Sequence, residues 1–381
     1  MSNRWKGGFV QLYFDPLAVG PITQALYSWG RNQYGGLGRE DLSNSSSPIQ
    51  VGSLLDWSFV SANSSNGQTA FLKTDGTMWM TGHGLYGKQG TNNTINTSSP
   101  VQVGALTDWA YVSVGGGMTA AIKTDGTLWT MGYDLSGQLA VNTAFVDKSS
   151  PVQVGALTDW AKVTVRGAKM AIKTDGTLWG WGSNNNGRLG TNNPVSTEYS
   201  SPIQIGALAN WSKVATSPIH FTIATKTDGT LWAWGDNGFY TLGQGDTVDR
   251  SSPVQVGALT NWLEIAAGQY HVVAVKTDGT LWSWGRNYEG QCGNNSTVIV
   301  TSPIQVGALD TWQTPNAGNQ SAVIKTDGSL WIWGVGAFGA LGTGNSVSVS
   351  SPVQLGSSGE SWAIAAMGYG ATYNGLAIKS L

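Results

Sequence analysis

The sequence is poor in the residues that most catalytic and metal chemistry needs. Its 381 residues include one cysteine, Cys292, and three histidines, His83, His220 and His271. A lone cysteine cannot close an intramolecular disulfide, nor supply a cysteine-rich metal site. Charged residues make up 11%, against about 25% in an average globular domain. The formal net charge is −2, and no run of Lys or Arg marks a nucleic-acid footprint. No apolar run approaches the ~18 residues that span a membrane. The opening MSNRWKGGFVQLYFDPLAVG is interrupted by Gln11 and Asp15, so no secretory leader is expected.

Motifs of catalysis are scarce as well. No phosphate loop, His-Glu-x-x-His pair or calcium loop occurs. The five glutamates, Glu40, Glu198, Glu264, Glu289 and Glu360, lack the paired spacing of acid/base work. His220 and His271 stand near the start of strands that enter hairpins, and read as structural residues. Cys292 fills a leucine position in a repeated GxLG and reads as a small core residue. The expectation is a non-catalytic protein with no cofactor and no bound metal.

What is abundant is glycine, at 53 residues, tryptophan, at 19, and repetition. The stretch AIKTDGTLW from Ala121 to Trp129 returns from Ala171, Ala224, Ala274 and Val323, more loosely from Phe71, and in part as LAIKSL from Leu376. Each copy reads as a hairpin. Apolar residues alternate into Lys-Thr, Asp-Gly is expected to take the two centres of a type I′ turn, and Leu-Trp leads back. A second marker is Ser-Pro-(Val/Ile)-Gln, with prolines at 48, 100, 151, 202, 253, 303 and 352. A third is a Trp about nine residues later, from Trp57 to Trp362, and a fourth the loop WGxNxxGxLG after each hairpin. Only Trp5 falls outside these slots, which makes tryptophan the repeating core.

The 357 residues from Ala25 to Leu381 divide into seven periods of 51. Each period holds about four short strands, so the expected fold is all-β: a seven-bladed β-propeller of four-stranded blades over residues 25–381. The last hairpin stops at Leu381 without its returning strand. The first period opens on ALYSWG, Ala25–Gly30, which is that strand. Pairing the N-terminal strand with the C-terminal strands would close the ring.

The WGxNxxGxLG loop, the KTDGxLW hairpin and the period near 51 resemble the RCC1-type repeat family over residues 25–381. The resemblance implies a seven-bladed propeller. It also offers several functions: exchange factor for a small GTPase, β-lactamase inhibitor, or interaction module. The Ser-Pro spacings of 52, 51, 51, 51, 50 and 49 leave no room for the family's exchange wedge, and the arm carries only Arg4 and Lys6, so exchange activity is not expected. Met131 and Thr81 stand where other blades have the second Trp, and Ala140 replaces a repeated Gly; these read as drift within the packing.

Specificity is expected where the repeats differ. The stretches between GxLG and Ser-Pro are short, nearly uncharged and rich in Ser, Thr and Asn, and should emerge at equivalent points around the ring. Tyr34, Tyr86, Tyr133, Phe239, Tyr288 and Phe338, in the WGxNxxG loops, are candidate contacts for a protein or surface-glycan partner. Residues 1–24 form a separate extended arm, and its Trp5, Phe9, Tyr13 and Phe14 are candidate anchors to other subunits of an assembly. SNRWKGGFVQLYFDP resembles the N-terminal attachment peptides of tailed-phage structural proteins. That resemblance implies a virion structural or decoration protein located in the virion, or otherwise a cytoplasmic one. A soluble protein-binding inhibitor and a carbohydrate-binding adhesin are the alternatives.

Overall fold

The computed structural model describes residues 23–62, 67–142, 146–193 and 197–381. The candidate anchors Trp5, Phe9, Tyr13 and Phe14 lie outside the described residues. Those that are described form seven four-stranded antiparallel sheets. Blade 1 spans 57–102, blade 2 109–153, blade 3 160–204, blade 4 211–255, blade 5 262–305 and blade 6 312–355. In blade 2 the strands are Trp109–Gly115, Met118–Lys123, Leu128–Gly132 and Lys148–Gln153. First strands of successive blades pack on one another all round and line the axis, while fourth strands form the rim.

Blade 7 is composite, as the truncated last repeat requires. Its order is Ser45–Gln50, Gln24–Gly30, Asn374–Ser380, Ser361–Met367. Gln24 pairs with Ser380 and Gly30 with Asn374 in unbroken register, and Leu381 N–H donates to Thr23 O at 3.0 Å. The two chain ends therefore share one sheet.

The hairpin turn differs from the expected type I′. Gly76 N–H donates to Lys73 O at 3.0 Å, and Lys73 N–H to Thr77 O at 3.1 Å. Three residues, Thr74, Asp75 and Gly76, thus make the loop, and of these only Gly76 has positive φ, at 78°. This is the type I turn plus left-handed glycine of three-residue hairpins. Asp75 serves through its carboxylate instead: Oδ1 accepts from Thr77 N at 2.9 Å and Thr77 Oγ1 at 2.6 Å. Gly76 is required twice over. A Cβ there would stand 2.1 Å from Thr107 O, because the Gly76 carbonyl accepts from the first Trp of the next blade, Trp109, at 3.1 Å.

Tryptophan builds the seams. Trp29, Trp181, Trp234, Trp284 and Trp333 are fully buried, and each indole donates to a loop carbonyl of the preceding blade at 2.7–3.0 Å. Thr81, read as drift, keeps the function: its hydroxyl donates to Gly35 O across the same kind of seam at 3.0 Å. Met131 fills its slot by packing, and Ala140 sits at φ 56°, a backbone suited to glycine. Cys292 is buried as a core residue, with its thiol pushed up to about 12 by desolvation.

Candidate functional site

Strand direction divides the ring into two faces. Asp-Gly hairpins and the Gly-Ala-Leu connections between blades lie on one. The first-to-second turns and the long third-to-fourth loops lie on the other, hereafter the loop face. The chain enters the ring on the hairpin face, where Gln24 N–H donates to Leu55 O at 2.7 Å.

Each third-to-fourth loop is braced internally. In blade 4, Leu242 N–H donates to Asn237 Oδ1 at 2.9 Å, while Asn237 Nδ2 donates to Asp246 O at 2.7 Å. Val248 N–H then donates to Asp246 Oδ1 at 2.9 Å. The same short turn places Ile95 over Asn93, Val298 over Ser296 and Val347 over Asn345. Its product is an apolar side chain held out into solvent. Leu42, Ile95, Val146, Val248, Val298 and Val347, one from each of six loops, are 55–69% exposed.

These six residues escaped the sequence reading, which registered the Ser, Thr and Asn around them. The signal was present: one apolar residue recurs four to six positions after GxLG. Among the described residues, every large hydrophobic side chain more than half exposed lies on the loop face, apart from Leu381 at the chain end. Leucines of the hairpin face reach only 50%.

The predicted aromatic residues lie on this face, and the structure gives them neighbours. Tyr34 packs on His83 and Tyr86 on Tyr133, with ring centroids 4.7 Å apart in both pairs. Phe239 meets Tyr270 at 4.7 Å and Tyr288 at 6.5 Å. Phe338 lies 5.5 Å from Tyr373 and under the Arg31 guanidinium at 4.8 Å. Each pair joins one blade to the next, so the aromatics staple seams. Tyr288 and Phe338 also remain well exposed. In the blade 3 loop Asn186 takes this place and donates to Asp249 Oδ2 of blade 4 at 3.2 Å.

Charge is arranged unevenly beneath the loops. Arg166 crosses the axis from blade 3, and its Nη1 donates to Ala267 O at 3.0 Å and Ala317 O at 2.8 Å. Its guanidinium lies 5.1 Å from the Tyr369 ring of blade 7. Lys88 Nζ stands 3.2 Å from His83 Nδ1, and burial pushes Lys88 down to about 7. His271, fully enclosed, holds Ser321 Oγ at 2.8 Å and is pushed down to about 3 by burial, with Arg286 adding to it. That fits the structural role expected of it. Among the described residues no group of three or more His, Cys, Asp or Glu side chains could hold a metal ion, and no helix is long and apolar enough to cross a membrane.

Seven sealed blades, a strand latch and a braced loop face define a closed seven-bladed propeller. The chain belongs to the RCC1 repeat family. The family model, Regulator of chromosome condensation (RCC1) repeat, matches residues 25–72, 175–221, 228–275, 278–324 and 327–375. A chain in the structure of Kap60 bound to yeast RCC1 (Prp20) superposes with a TM-score of 0.83 at 16% identity, covering 100% of this chain and 94% of that one. Human WBSCR16 superposes at 0.82 with 17% identity, covering 94% and 99%. At these identities the likeness establishes the fold alone. Among curated proteins, the E3 ubiquitin-protein ligase HERC2 of Homo sapiens is 34% identical over 91 residues, 23% of this chain and only 2% of that much longer protein.

Proposed function

We propose that this propeller is a binding module whose loop face receives a protein partner. One observation carries the reading: the most exposed apolar side chains collect on one face, and Ile95, Val248, Val298 and Val347 are each held out by a hydrogen-bonded turn. A soluble surface gains nothing from presenting such side chains in register, whereas an interface does. The solved relatives are consistent with it, since yeast RCC1 is bound by Kap60 and Prp20p of Saccharomyces cerevisiae is described by its binding to Gsp1p and histones. No catalytic constellation competes for the role among the described residues.

The test compares the two faces. Ile95→Asp, Val298→Asp and Val347→Asp together should abolish partner capture in quantitative affinity mass spectrometry. Leu106→Asp, Leu208→Asp and Leu309→Asp on the hairpin face should leave it intact. Loss confined to the second set would sink the assignment.

The setting proposed from the sequence is a virion structural protein anchored by residues 1–24. Entry of the chain on the hairpin face supports this geometry, because an anchor attached there leaves the loop face clear. A protein lacking residues 1–22 should fold yet fail to incorporate into particles; normal incorporation would dismiss the virion role while leaving the loop-face reading standing.

A further inference from the structure

Arginines on the long loops of this molecule mostly come with a partner of their own. Arg39 stands 3.4 Å from Asp41, Arg250 2.8 Å from Asp246 and Arg286 2.9 Å from Glu289. Arg188, buried, donates through Nε to Ser183 O at 2.7 Å and meets His220 Nδ1 through Nη1 at 2.6 Å. Arg31, at the start of the blade 7 loop, is half-buried and has no acid beside it among the described residues. Its Nη1 donates to Ala371 O at 2.5 Å.

This side chain is held in place from several sides. Arg31 N–H donates to Tyr373 O at 3.1 Å, which fixes the backbone. The guanidinium carbon lies 4.8 Å from the centre of the Phe338 ring, and that ring packs on Tyr373 at 5.5 Å. Nη1 is taken by Ala371, while no described residue accepts from Nε or Nη2. The edge that remains carries two parallel N–H groups, the geometry that matches a carboxylate. A guanidinium already ordered loses little further freedom on binding.

Arg31 also lines a cavity of about 50 Å³, where the blade 7 loop meets the first-to-second turns of blades 7 and 1. Gln33, Tyr34, Gly36, Gly67 and Thr372 complete its walls, and none of its lining residues is an acid. The walls converge closely: a Cβ on Gly67 would stand 3.5 Å from Tyr34 Cβ and 3.7 Å from Thr372 Cγ2. Tyr34 Oη accepts from Gln33 Nε2 at 3.3 Å, so the phenol keeps its own proton to donate. The volume has room for about four water-sized groups, the size of a carboxylate and the carbon that bears it.

We propose that this cavity is a carboxylate subsite of the loop face, in which the Nε–Nη2 edge of Arg31 receives an aspartate or glutamate side chain of the docked partner. Only the origin of the carboxylate rests on the loop-face reading; the subsite itself can be probed with a small acid. Charge and shape select together. Arg31 supplies the cation and the fork, and the narrow walls exclude a chain terminus with its peptide unit.

The experiment is NMR of full-length protein, following the Arg31 Nε–H signal and the backbone amides of residues 32–36 as acetate replaces chloride at constant ionic strength. N-acetylglycine, which mimics a chain terminus, and inorganic phosphate are titrated separately. Acetate should shift these signals saturably with a millimolar midpoint, the range that two charge-assisted hydrogen bonds support. Arg250 and Arg286, already paired, should not respond. Arg31→Gln should lose all saturable binding. Arg31→Lys keeps the charge but not the planar fork, and should bind about tenfold more weakly. Phe338→Ala should weaken binding about threefold by freeing the guanidinium. Gly67→Asn puts a side chain into the cavity at φ 60°, a backbone that asparagine tolerates, and should abolish the response with Arg31 still present; if that variant does not fold, Arg31→Lys carries the test. No saturable shift, equal binding by Arg31→Lys, an undiminished response in folded Gly67→Asn, or tighter binding of N-acetylglycine or phosphate than of acetate would overturn the assignment. The titration needs no partner and the comparison of faces needs no acetate, so the two readings fail separately.

Discussion

At the residue scale, the KTDG motif resolves into three separate jobs. Glycine answers a steric demand, aspartate fixes the turn, and lysine is a clamp between two tryptophans. The aspartates Asp75, Asp125, Asp175, Asp228, Asp278 and Asp327 are all held below the usual carboxylate range, first by the hydroxyl of the Thr or Ser two residues on, then by its backbone N–H. A depressed native pKa contributes stability that is present above the unfolded value of 3.8 and is lost as pH falls through the lower folded value. Thr127→Val should therefore bring the Asp125 carboxyl titration back toward 3.8, as read by carboxyl NMR; an unchanged midpoint would deny the hydroxyl its role. The lysines divide into two groups. Lys276→Met, between Trp262 and Trp282 without an acid, should cost no more than the roughly 0.5–2 kcal/mol of a cation–π contact. Lys173→Met also deprives the half-exposed Asp159 of its 3.3 Å partner, so its urea midpoint should fall further and its deficit should shrink with added salt.

At the element scale, the latch was legible because a truncated motif at one end matched a surplus strand at the other. Composition and period gave the strands, their number and their sheets. The turn type was misread for a physical reason: Asp-Gly fits both a two-residue type I′ turn and the last two positions of a three-residue loop. What decides is the next blade, whose Trp109 N–H claims the Gly76 carbonyl. No local propensity carries that information. The latch itself is testable. The strand Asn374–Ser380 pairs with both neighbours of blade 7, so truncation after Thr372 should unfold the ring at ambient temperature by circular dichroism. Linking Leu381 to Thr23 and opening the chain after Asn345, in a solvent-facing loop, should instead keep the native spectrum. Survival of the truncated protein would mean that the seam, not the latch, closes the ring.

At the scale of the whole molecule, repetition explains the scaffold and hides the site. Positions common to all blades announced themselves as a period. The exposed apolar residue of six loops was masked by its polar neighbours, and the contact of Arg188 with His220 joins two segments that only the packing of neighbouring blades brings together. Arg166 belongs to the same class: a single side chain, unmatched in other repeats, that ties blade 3 to blades 5, 6 and 7 across the axis. Two hydrogen bonds from a charged donor gain about 1.5–3 kcal/mol each. Burial of the guanidinium opposes them and pushes its pKa down. The net loss for Arg166→Met should then be about 1–3 kcal/mol, because the Ala267 and Ala317 carbonyls also lose their side-chain donor. Six seams are sealed by their own tryptophan or threonine and the seam of blades 1 and 2 by the packing of Met131, so the variant should still unfold in one transition, with urea midpoints that coincide for tryptophan fluorescence and circular dichroism. Two separated transitions would show instead that the ring is held as one cooperative unit through its axis, and that Arg166 is what holds it.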